Sequence, residues 1–445
     1  MSEKGQPKRI LVLGAGKTGT AVARYFRGKG VEVLVSDRDP QRLPVVARET
    51  GAVPCLEEEA EQWLTRVDCV IPSPGVPRTH RLLLAAQRHG VTIRSEIDVA
   101  YEALGKPILA VTGTNGKSTT TTVLGSMVAA AGRTVFVGGN LGTPLIEACT
   151  QGCELAVAEI SSFQLEWAEK FRPEVGVFLN LSPDHLDRYQ DLDDYGTTKL
   201  RLFARQTERD WAVLNRDDPW LQARLDQITG GQRVTFGQHE CALGAWCERD
   251  TIFLRLPETS GVQRFALANT RLRGAHNREN LMAAALAAAL FGIPEAAIQK
   301  AIDEAAPLPH RVEFVRQWRG IEFYDDSKGT NIGAVAKAVA GFDRPVVLLA
   351  GGYDKGTRFD PLTSVLRSHV RLAVFFGATA GKWAEQVGGA VAHKVVASLK
   401  EAVQIAAREA QPGEVVLLSP GCASFDEFED YAHRGRCFRE WVEAL

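Results

Sequence analysis

A glycine-rich loop that follows a short apolar run constrains this chain more than any other feature. Residues 108–111 are all apolar and predict a buried strand, and residues 112–118 are Thr-Gly-Thr-Asn-Gly-Lys-Ser. A strand, a glycine turn and a helix start place backbone N–H groups and the positive helix end where they can bind phosphate. Lys117 would neutralise the β- and γ-phosphates, and the Ser118 hydroxyl would reach Mg²⁺. A strict phosphate loop has glycine where this chain has Val111, so the loop is a variant.

A second glycine loop opens the chain. Residues 14–19 are Gly-Ala-Gly-Lys-Thr-Gly, they follow the apolar run 9–13, and Asp37 stands at the end of the next predicted strand. This spacing is the dinucleotide fingerprint, in which the helix start binds pyrophosphate and the acid binds a ribose. It suits NAD and equally another nucleotide diphosphate, so hydride transfer does not follow from it.

Candidate metal ligands follow two further predicted strands. Glu159 stands near the end of the apolar run 155–160, where a buried carboxylate requires a cation. Beside a nucleotide loop this favours Mg²⁺. His185, on the loop after the next strand, is a site candidate from the same placement. Lys199, by contrast, is expected to be an ordinary solvated lysine on a helix.

The domain organisation is predicted from the chain length, the alternation of strand and helix patterns, and a proline-containing linker. The 445 residues suggest about three domains, and strand and helix patterns alternate in three blocks. We therefore expect an α/β fold with mostly parallel sheets, divided into residues 1–94, 95–306 and 307–445. Ala-Pro-Leu-Pro at 306–309 is the linker, since proline stops a helix. Polar, glycine-rich turns after three strands of the last block predict a site there as well.

Composition excludes other classes of protein. The net charge of −2 provides no basic field for non-specific nucleic-acid binding. The apolar stretch 281–292 is too short to span a bilayer, and residues 1–9 lack an apolar signal core. Eight scattered cysteines without a C-x-x-C predict free thiols in a reducing cytoplasm.

These motifs together resemble the Mur ligase family of peptidoglycan synthesis over essentially the whole chain. The motifs of the central domain and hinge are the loop 112–118, Glu-Ile-Ser-Ser-Phe-Gln-Leu at 159–165, Asn-Leu-Ser-Pro-Asp-His-Leu-Asp-Arg at 180–188, His-Asn at 276–277 and Leu-Pro-His-Arg at 308–311. Some of these are shared with folylpolyglutamate synthases, so they indicate the superfamily only. Narrower signals are residues 14–19, 73–76, 326–331, 352–356, 419–428 and 434–435. Gly329 stands where the family pattern has alanine, with Lys328 and Thr330 in place beside it.

The resemblance implies an activity and an architecture. A Rossmann-like N-terminal domain would bind UDP, a central domain ATP, and a Rossmann-like C-terminal domain an amino acid. ATP would phosphorylate the carboxylate of UDP-N-acetylmuramoyl-L-alanine, and the amine of D-glutamate would attack the acyl phosphate, releasing ADP and phosphate. The implied partners are these small molecules alone, with two Mg²⁺ ions, in a cytoplasmic monomer that has no membrane span and binds no nucleic acid.

The resemblance also implies site residues. The catalytic set is Lys117, Glu159, His185 and Lys199, and the metal ligands are Ser118, Glu159, His185 and a carbamylated Lys199. ATP would contact Gly113, Thr114, Asn115, Gly116, Lys117, Ser118, Thr119, Asn277, Arg311, Asp326 and Lys328. The UDP substrate would contact Gly14, Gly16, Lys17, Thr18, Gly19, Asp37, Arg38, Ser73, Gly75 and Asn140. D-Glutamate would contact Thr330, Lys355, Ser424, Phe425 and Tyr431.

Three other functions compete with this one. An NAD-dependent dehydrogenase would rest on residues 14–19 and leaves the Lys117 loop unexplained. A related ligase could add another amino acid, or glutamate to folate, and a substrate panel separates it. A non-enzymatic nucleotide-binding regulator has no need of Lys117, Glu159 and His185 together.

Overall fold

The computed structural model of the chain describes residues 7–257, 261–272, 274–354 and 356–445. Strands in these residues form three sheets in which most neighbours are parallel and helices connect them. The predicted α/β class is thereby confirmed. The residues group into two compact units: unit 1 comprises Met1–Asn180, Gly196–Asn269 and Glu279–Glu304, and unit 2 comprises Leu181–Tyr195, Thr270–Arg278 and Ala305–Leu445.

The first sheet of unit 1 is parallel, with strand order β3-β2-β1-β4-β5. Its strands are β1 Arg9–Leu13, β2 Glu32–Ser36, β3 Val53–Pro54, β4 Cys69–Pro72 and β5 Thr92–Ile93. Its helices are α1 Lys17–Gly28, α2 Leu43–Thr50, α3 Glu57–Ala60, α4 Arg81–Arg88 and α5 Glu96–Leu104, with 3-10 turns at Pro40–Arg42 and Glu61–Arg66. Continuous apolar strands form because helices cover both faces of a parallel sheet.

The second sheet of unit 1 has the order β14-β13-β12-β11-β10-β9-β6-β8-β7. Its strands are β6 Ile108–Thr112, β7 Val135–Gly139, β8 Leu155–Glu159, β9 Val175–Phe178, β10 Trp211–Asn215, β11 Gln232–Gly237, β12 Gly244–Glu248, β13 Thr251–Arg255 and β14 Val262–Ala266. Helices α6 Lys117–Ala130, α7 Ser162–Leu165, α8 Leu192–Leu200, α9 Pro219–Gln222, α10 Ala275–Leu290 and α11 Glu295–Glu304 follow in the chain, with 3-10 turns at Leu145–Thr150, Arg201–Phe203 and Leu225–Gln227. Strands β12, β13 and β14 pair antiparallel at one edge of this sheet.

The sheet of unit 2 has the order β15-β16-β20-β17-β18-β19, and only its β15–β16 hairpin is antiparallel among the described strands. The strands are β15 Glu313–Trp318, β16 Ile321–Asp325, β17 Val346–Gly351, β18 Val370–Phe376, β19 Ala392–Val395 and β20 Val415–Gly421. The helices are α12 Ile332–Ala340, α13 Thr363–His369, α14 Ala380–Val387, α15 Leu399–Glu409 and α16 Tyr431–Glu443, with 3-10 turns at Asp360–Leu362 and Gly377–Thr379. The hairpin turns at Arg319-Gly320.

All eight cysteines lie in the described part of the chain and carry free thiols. Among the described helices, none has the length and apolar character that a bilayer crossing demands.

A buried acid joins the two sheets of unit 1. Glu96 begins α5, is 2% exposed, and its Oε1 accepts a 2.7 Å hydrogen bond from the backbone N–H of Ile146 on the Leu145–Thr150 turn. Burial outweighs this bond and raises the pKa of the Glu96 carboxyl to about 7. The folded protein therefore keeps this proton at pH values where the unfolded chain has released it.

We predict that Glu96→Gln stabilises the protein at alkaline pH. Because the folded pKa is raised, the folded state binds more protons between pH 4.5 and about 7, so the native contribution of Glu96 to stability falls across that window. Glutamine cannot ionise, so the gain in the free energy of unfolding should grow from near zero at pH 5 to a few kcal/mol at pH 8. Urea unfolding at both pH values measures it, with the exposed Glu58→Gln as control. An equal effect at both pH values contradicts the prediction.

Candidate active site

The loop after β6 adopts a backbone that requires its glycines. Gly113 has φ +143° and Gly116 has φ +86°, a region that L side chains rarely occupy. A Cβ on Gly116 would also lie 2.2 Å from Oδ1 of Asn280. Helix α6 begins at the next residue, Lys117, with Ser118 and Thr119 buried in its first turn.

Asn180, at the end of the neighbouring strand segment, fixes this loop from the side. Its backbone carbonyl accepts from Thr114 N–H at 2.9 Å, and its Oδ1 accepts from Asn115 N–H at 2.9 Å. Its Nδ2 donates back to the Asn115 carbonyl at 3.1 Å. From the sequence, Asn180 is only one member of a motif. Its role on the loop cannot be predicted locally, because its partner Asn115 lies 65 residues earlier in the chain.

Two lysines converge on one carbonyl of the loop. Lys117 Nζ donates to the carbonyls of Gly113 at 2.9 Å and Thr114 at 2.7 Å. Lys199 Nζ donates to the same Gly113 carbonyl at 2.9 Å. Lys199 is only 1% exposed, so the expectation of a solvated lysine is wrong. The polar composition of α8 conceals the buried face, because that face packs on a polar loop rather than on an apolar core.

Glu159 and Asn140 form the adjacent acidic corner. Glu159 ends β8, is 3% exposed and pairs in register with Val111 of β6. Its Oε1 accepts from Asn140 Nδ2 at 2.6 Å, and its backbone carbonyl accepts from Asn140 N–H at 2.8 Å. This tight crossing requires Gly139, whose φ is +89° and whose added Cβ would lie 2.3 Å from the Glu159 carbonyl oxygen.

The donor set at this corner fits a hard divalent cation. The Ser118 hydroxyl and the Glu159 carboxylate are buried oxygen ligands on elements that follow two paired strands. Mg²⁺ prefers oxygen ligands, and a buried carboxylate is stabilised by a cation. These two side chains could hold a metal ion beside the glycine-rich loop.

A cavity of about 540 Å³ in unit 1 runs from the first glycine loop to Asn140. It is lined by most of the residues predicted for the UDP substrate: Gly14, Gly16, Lys17, Thr18, Asp37, Arg38, Ser73, Gly75 and Asn140. Gly19 supports the loop from behind, since a Cβ there would lie 1.8 Å from the Gly14 carbonyl oxygen. The cavity thus ends beside the corner that contains Glu159.

Asp37 has a structural task in this cavity. Its Oδ2 accepts from the Ala15 N–H of the glycine loop at 2.6 Å, and its Oδ1 accepts from Asp39 N–H at 2.8 Å. Ser73 Oγ donates to the Gly14 carbonyl at 3.0 Å from the opposite side. The loop is therefore held in shape by side chains from two other strand ends.

Unit 2 contains a second group of predicted site residues after the ends of β16 and β20. Asp326 is 6% exposed and its Oδ2 accepts from Ser419 Oγ at 2.7 Å. Burial raises the pKa of the Asp326 carboxyl to about 7. Lys328 donates its backbone N–H to the His310 carbonyl at 3.1 Å, and its Nζ lies 5.1 Å from the centre of the Tyr431 ring.

The other predicted residues of unit 2 differ in exposure. Ser424 is 2% exposed, whereas Phe425 is 68% and Tyr431 36% exposed. Thr330 donates its backbone N–H to the Lys328 carbonyl at 2.9 Å. Lys355 lies outside the described residues.

The predicted residues His185, Asn277 and Arg311 also belong to unit 2. His185 has φ +56°, and its ring lies 6.0 Å from that of Tyr195. Asn277 N–H donates to the Gly274 carbonyl at 3.1 Å, and Arg311 N–H to the Leu308 carbonyl at 3.2 Å. Next to Asn277, burial lowers the pKa of His276 to about 4, helped by the charges of Lys337 and Arg311.

Arg434 holds these turns together through buried hydrogen bonds, a role that no sequence pattern predicts. It is fully buried, and it donates to Ser327 Oγ at 2.9 Å and to the Ser327 carbonyl at 2.8 Å. It also donates to the carbonyls of Cys422 at 3.2 Å and Ala423 at 3.1 Å. The residue therefore ties the turn that contains Asp326 and Lys328 to the turn that contains Ser424.

Three family models match the chain in order. They are the MurD-like N-terminal domain of Mur ligases over residues 8–95, the Mur ligase middle domain over 111–288, and the Mur ligase glutamate ligase domain over 310–422. The fold is similar to that of a UDP-N-acetylmuramate–alanine ligase from Thermotoga maritima, with a TM-score of 0.61 and 18% identity over 98% of this chain and 99% of that one. A pseudomurein peptide ligase from Methanothermus fervidus gives 0.61 and 20% over the same shares.

Sequence relatives are similar over nearly their whole length. A protein of Syntrophus aciditrophicus (strain SB), named UDP-N-acetylmuramoylalanine–D-glutamate ligase, is 41% identical over 98% of each chain. A protein of the same name from Geobacter metallireducens is also 41% identical over 98% of each chain. The chain therefore belongs to the Mur ligase family, and it is an ATP-dependent ligase.

We predict that Arg434→Met destabilises unit 2 strongly. Methionine preserves bulk but leaves the buried carbonyls of Ser327, Cys422 and Ala423 without these donors. The free energy of unfolding should fall by about 3 kcal/mol or more. Urea unfolding followed by fluorescence measures the loss. Arg436→Met, at an exposed position of the same helix, is the matched control. A loss of stability no larger than that of the control would contradict the role of Arg434 in joining the two turns.

Proposed function

We propose that this chain joins D-glutamate to UDP-N-acetylmuramoyl-L-alanine at the expense of ATP, through an acyl phosphate, releasing ADP and phosphate. The observation that carries the proposal is the junction of the Lys117 loop with the Glu159–Asn140 corner, into which the first cavity opens. A nucleotide-linked substrate in the cavity would present its far end to the phosphate-binding loop. The two relatives named UDP-N-acetylmuramoylalanine–D-glutamate ligase support this substrate pair.

Charge neutralisation and positioning account for the chemistry. The substrate carboxylate and the ATP phosphates repel each other, so the loop N–H groups and Lys117 must hold the γ-phosphate in line with the carboxylate. A Mg²⁺ ion on Ser118 and Glu159 would supply further positive charge to the transferring phosphoryl group. Asn140 orients Glu159 and contacts the muramoyl end of the substrate. Attack by the D-glutamate amine then forms the amide and releases phosphate.

The buried position of Lys199 beside the phosphate-binding loop supports the carbamate that the family resemblance implies there. The ammonium first releases one proton, and the amine then forms an N–C bond to CO₂ and releases a second proton, so Nζ keeps one hydrogen for the Gly113 carbonyl. With His185 this carbamate would hold a second Mg²⁺, which prefers oxygen ligands.

The remaining assignments belong to the last domain, residues 307–445, and to its surroundings. Arg311, Asp326 and Lys328 contact ATP, and Asn277 lies near the adenine. Thr330, Lys355, Ser424, Phe425 and Tyr431 select D-glutamate, with Lys355 as the cation for its side-chain carboxylate. The protein acts as a cytoplasmic monomer on small-molecule substrates and binds no nucleic acid.

One assay tests the proposed function directly. Phosphate release is measured with ATP, Mg²⁺, UDP-N-acetylmuramoyl-L-alanine and D-glutamate, and then with each omitted in turn. Full turnover should require all four. Equal turnover with L-alanine or with a folate substrate would assign the chain to another ligase, and reduction of NAD by the protein would favour a dehydrogenase.

We predict that Lys117→Ala abolishes ATP-dependent turnover. The variant loses the cation on the phosphate loop, so kcat should fall at least about 100-fold. Binding of the UDP substrate without ATP, measured by calorimetry, should change less than about twofold, since Lys117 does not line that cavity. The exposed Lys170→Ala serves as control. Comparable ligation by Lys117→Ala refutes the assignment.

We predict that Lys199→Ala is nearly inactive and that a short carboxylic acid partly restores it. The added acid replaces the carbamate oxygens, as judged by kcat with and without acetate. Lys199→Arg should stay inactive with acetate, because guanidinium carries no acceptor for Mg²⁺. Full activity of Lys199→Arg would show that no carbamate is needed.

A further inference from the structure

One arginine connects the cavity loop to the helix that carries Lys199. The loop 73–80 supplies Ser73, Gly75 and His80 to the cavity wall. Arg78, in the same loop, instead donates from Nη2 to Thr198 Oγ1 at 3.2 Å. Its Nε lies 3.7 Å from Glu166 Oε2. The arginine therefore crosses from the N-terminal sheet of unit 1 to the elements of the ATP site.

Both partners of Arg78 are buried beside predicted catalytic groups. Thr198 is 3% exposed and immediately precedes Lys199 on α8. Glu166 is 4% exposed and follows α7, the first helix after Glu159. A hydrogen bond to Thr198 restrains rotation of α8 about its axis, and Lys199 shares that rotation because the helix moves as one body.

The charges near Glu166 favour the contact between Arg78 and the elements around α8. Arg201 lies in the 3-10 turn that follows α8, and burial lowers the pKa of its guanidinium, with the positive charge of Arg78 adding to the effect. Glu166 lies 3.7 Å from Arg78, and Glu169, Asp98 and Glu166 are the acids whose negative charges act on Arg201. Two like charges near each other are unfavourable unless acids compensate them, so these acids favour keeping both guanidinium groups beside α8.

We propose that Arg78 is a positioning residue that couples the cavity loop to the catalytic lysine: it fixes Thr198, and thereby α8, so that Lys199 faces the Gly113 carbonyl. The proposal rests on the function proposed above for its catalytic consequence. Its structural content, the orientation of Lys199, is independent of that function.

The first experiment measures Lys199 itself, in the ligand-free protein. Lysines are acetylated with an N-hydroxysuccinimide ester, and peptides are quantified by mass spectrometry. In Arg78→Met the labelling rate of Lys199 should rise at least about tenfold, whereas that of the exposed Lys170 should not change. Arg88→Met, an exposed arginine of the same domain, should leave both rates unchanged. Equal labelling of Lys199 in Arg78→Met and wild type overturns the proposal.

The second experiment measures turnover and separates positioning from general damage. For Arg78→Met we expect kcat about 10- to 100-fold lower, with the dissociation constant of the UDP substrate within about twofold of wild type. Thr198→Val should have a similar effect, and the double variant should be no worse than Arg78→Met alone, because both remove one contact. Arg78→Lys should recover part of the activity. If the losses of the two single variants multiply in the double variant, the proposal is overturned. If Arg78→Met does not fold, Thr198→Val replaces it in the labelling experiment, and unchanged labelling of Lys199 in Thr198→Val overturns the proposal.

The outcomes also separate this proposal from the proposed function. If wild type lacks ligase activity while Lys199 becomes reactive in Arg78→Met, the function is wrong and the positioning role stands. If wild type is an active ligase and Arg78→Met matches Arg88→Met in both assays, the positioning role is wrong and the function stands.

Discussion

The carbonyl oxygen of Gly113 is the point on which the glycine-rich loop of unit 1 and its two lysines depend. It accepts hydrogen bonds from the ammonium groups of both Lys117 and Lys199, and it can do so only because Gly113 has a φ that other residues rarely adopt. The carbonyl concentrates positive charge at the start of α6, where the helix end already favours anions. A side chain at Gly113 would shift both lysines at once.

A chain of buried polar contacts extends from this point in two directions. Asn180 fixes the loop from one side, and the Glu159–Asn140 corner links it to the cavity on the other. Such networks are stable only when their donors and acceptors are satisfied, and satisfied networks hold side chains in one arrangement. This rigidity suits phosphoryl transfer, which depends on alignment more than on covalent chemistry by the protein.

In unit 2, a single buried arginine holds the candidate site residues in place. A single buried guanidinium, Arg434, binds the backbone of two turns whose residues come from distant parts of the chain. The planar group with five donors can satisfy several carbonyls together, which a lysine cannot do. The turns that contain Asp326 and Ser424 are therefore held together by contacts to their backbone carbonyls.

The sequence by itself determined the fold class and the glycine loops, because apolar periodicity and glycine act through local backbone physics. It also identified Glu159 from its position at a strand end. Only the tertiary structure decided that Lys199 is buried, that Asn180 holds the phosphate loop, and that Arg434 and Arg78 tie separate turns together. A polar residue on a helix or loop has the same local signature whether it faces solvent or a buried carbonyl. Its partner lies tens of residues away, and only folding brings the two within hydrogen-bond distance.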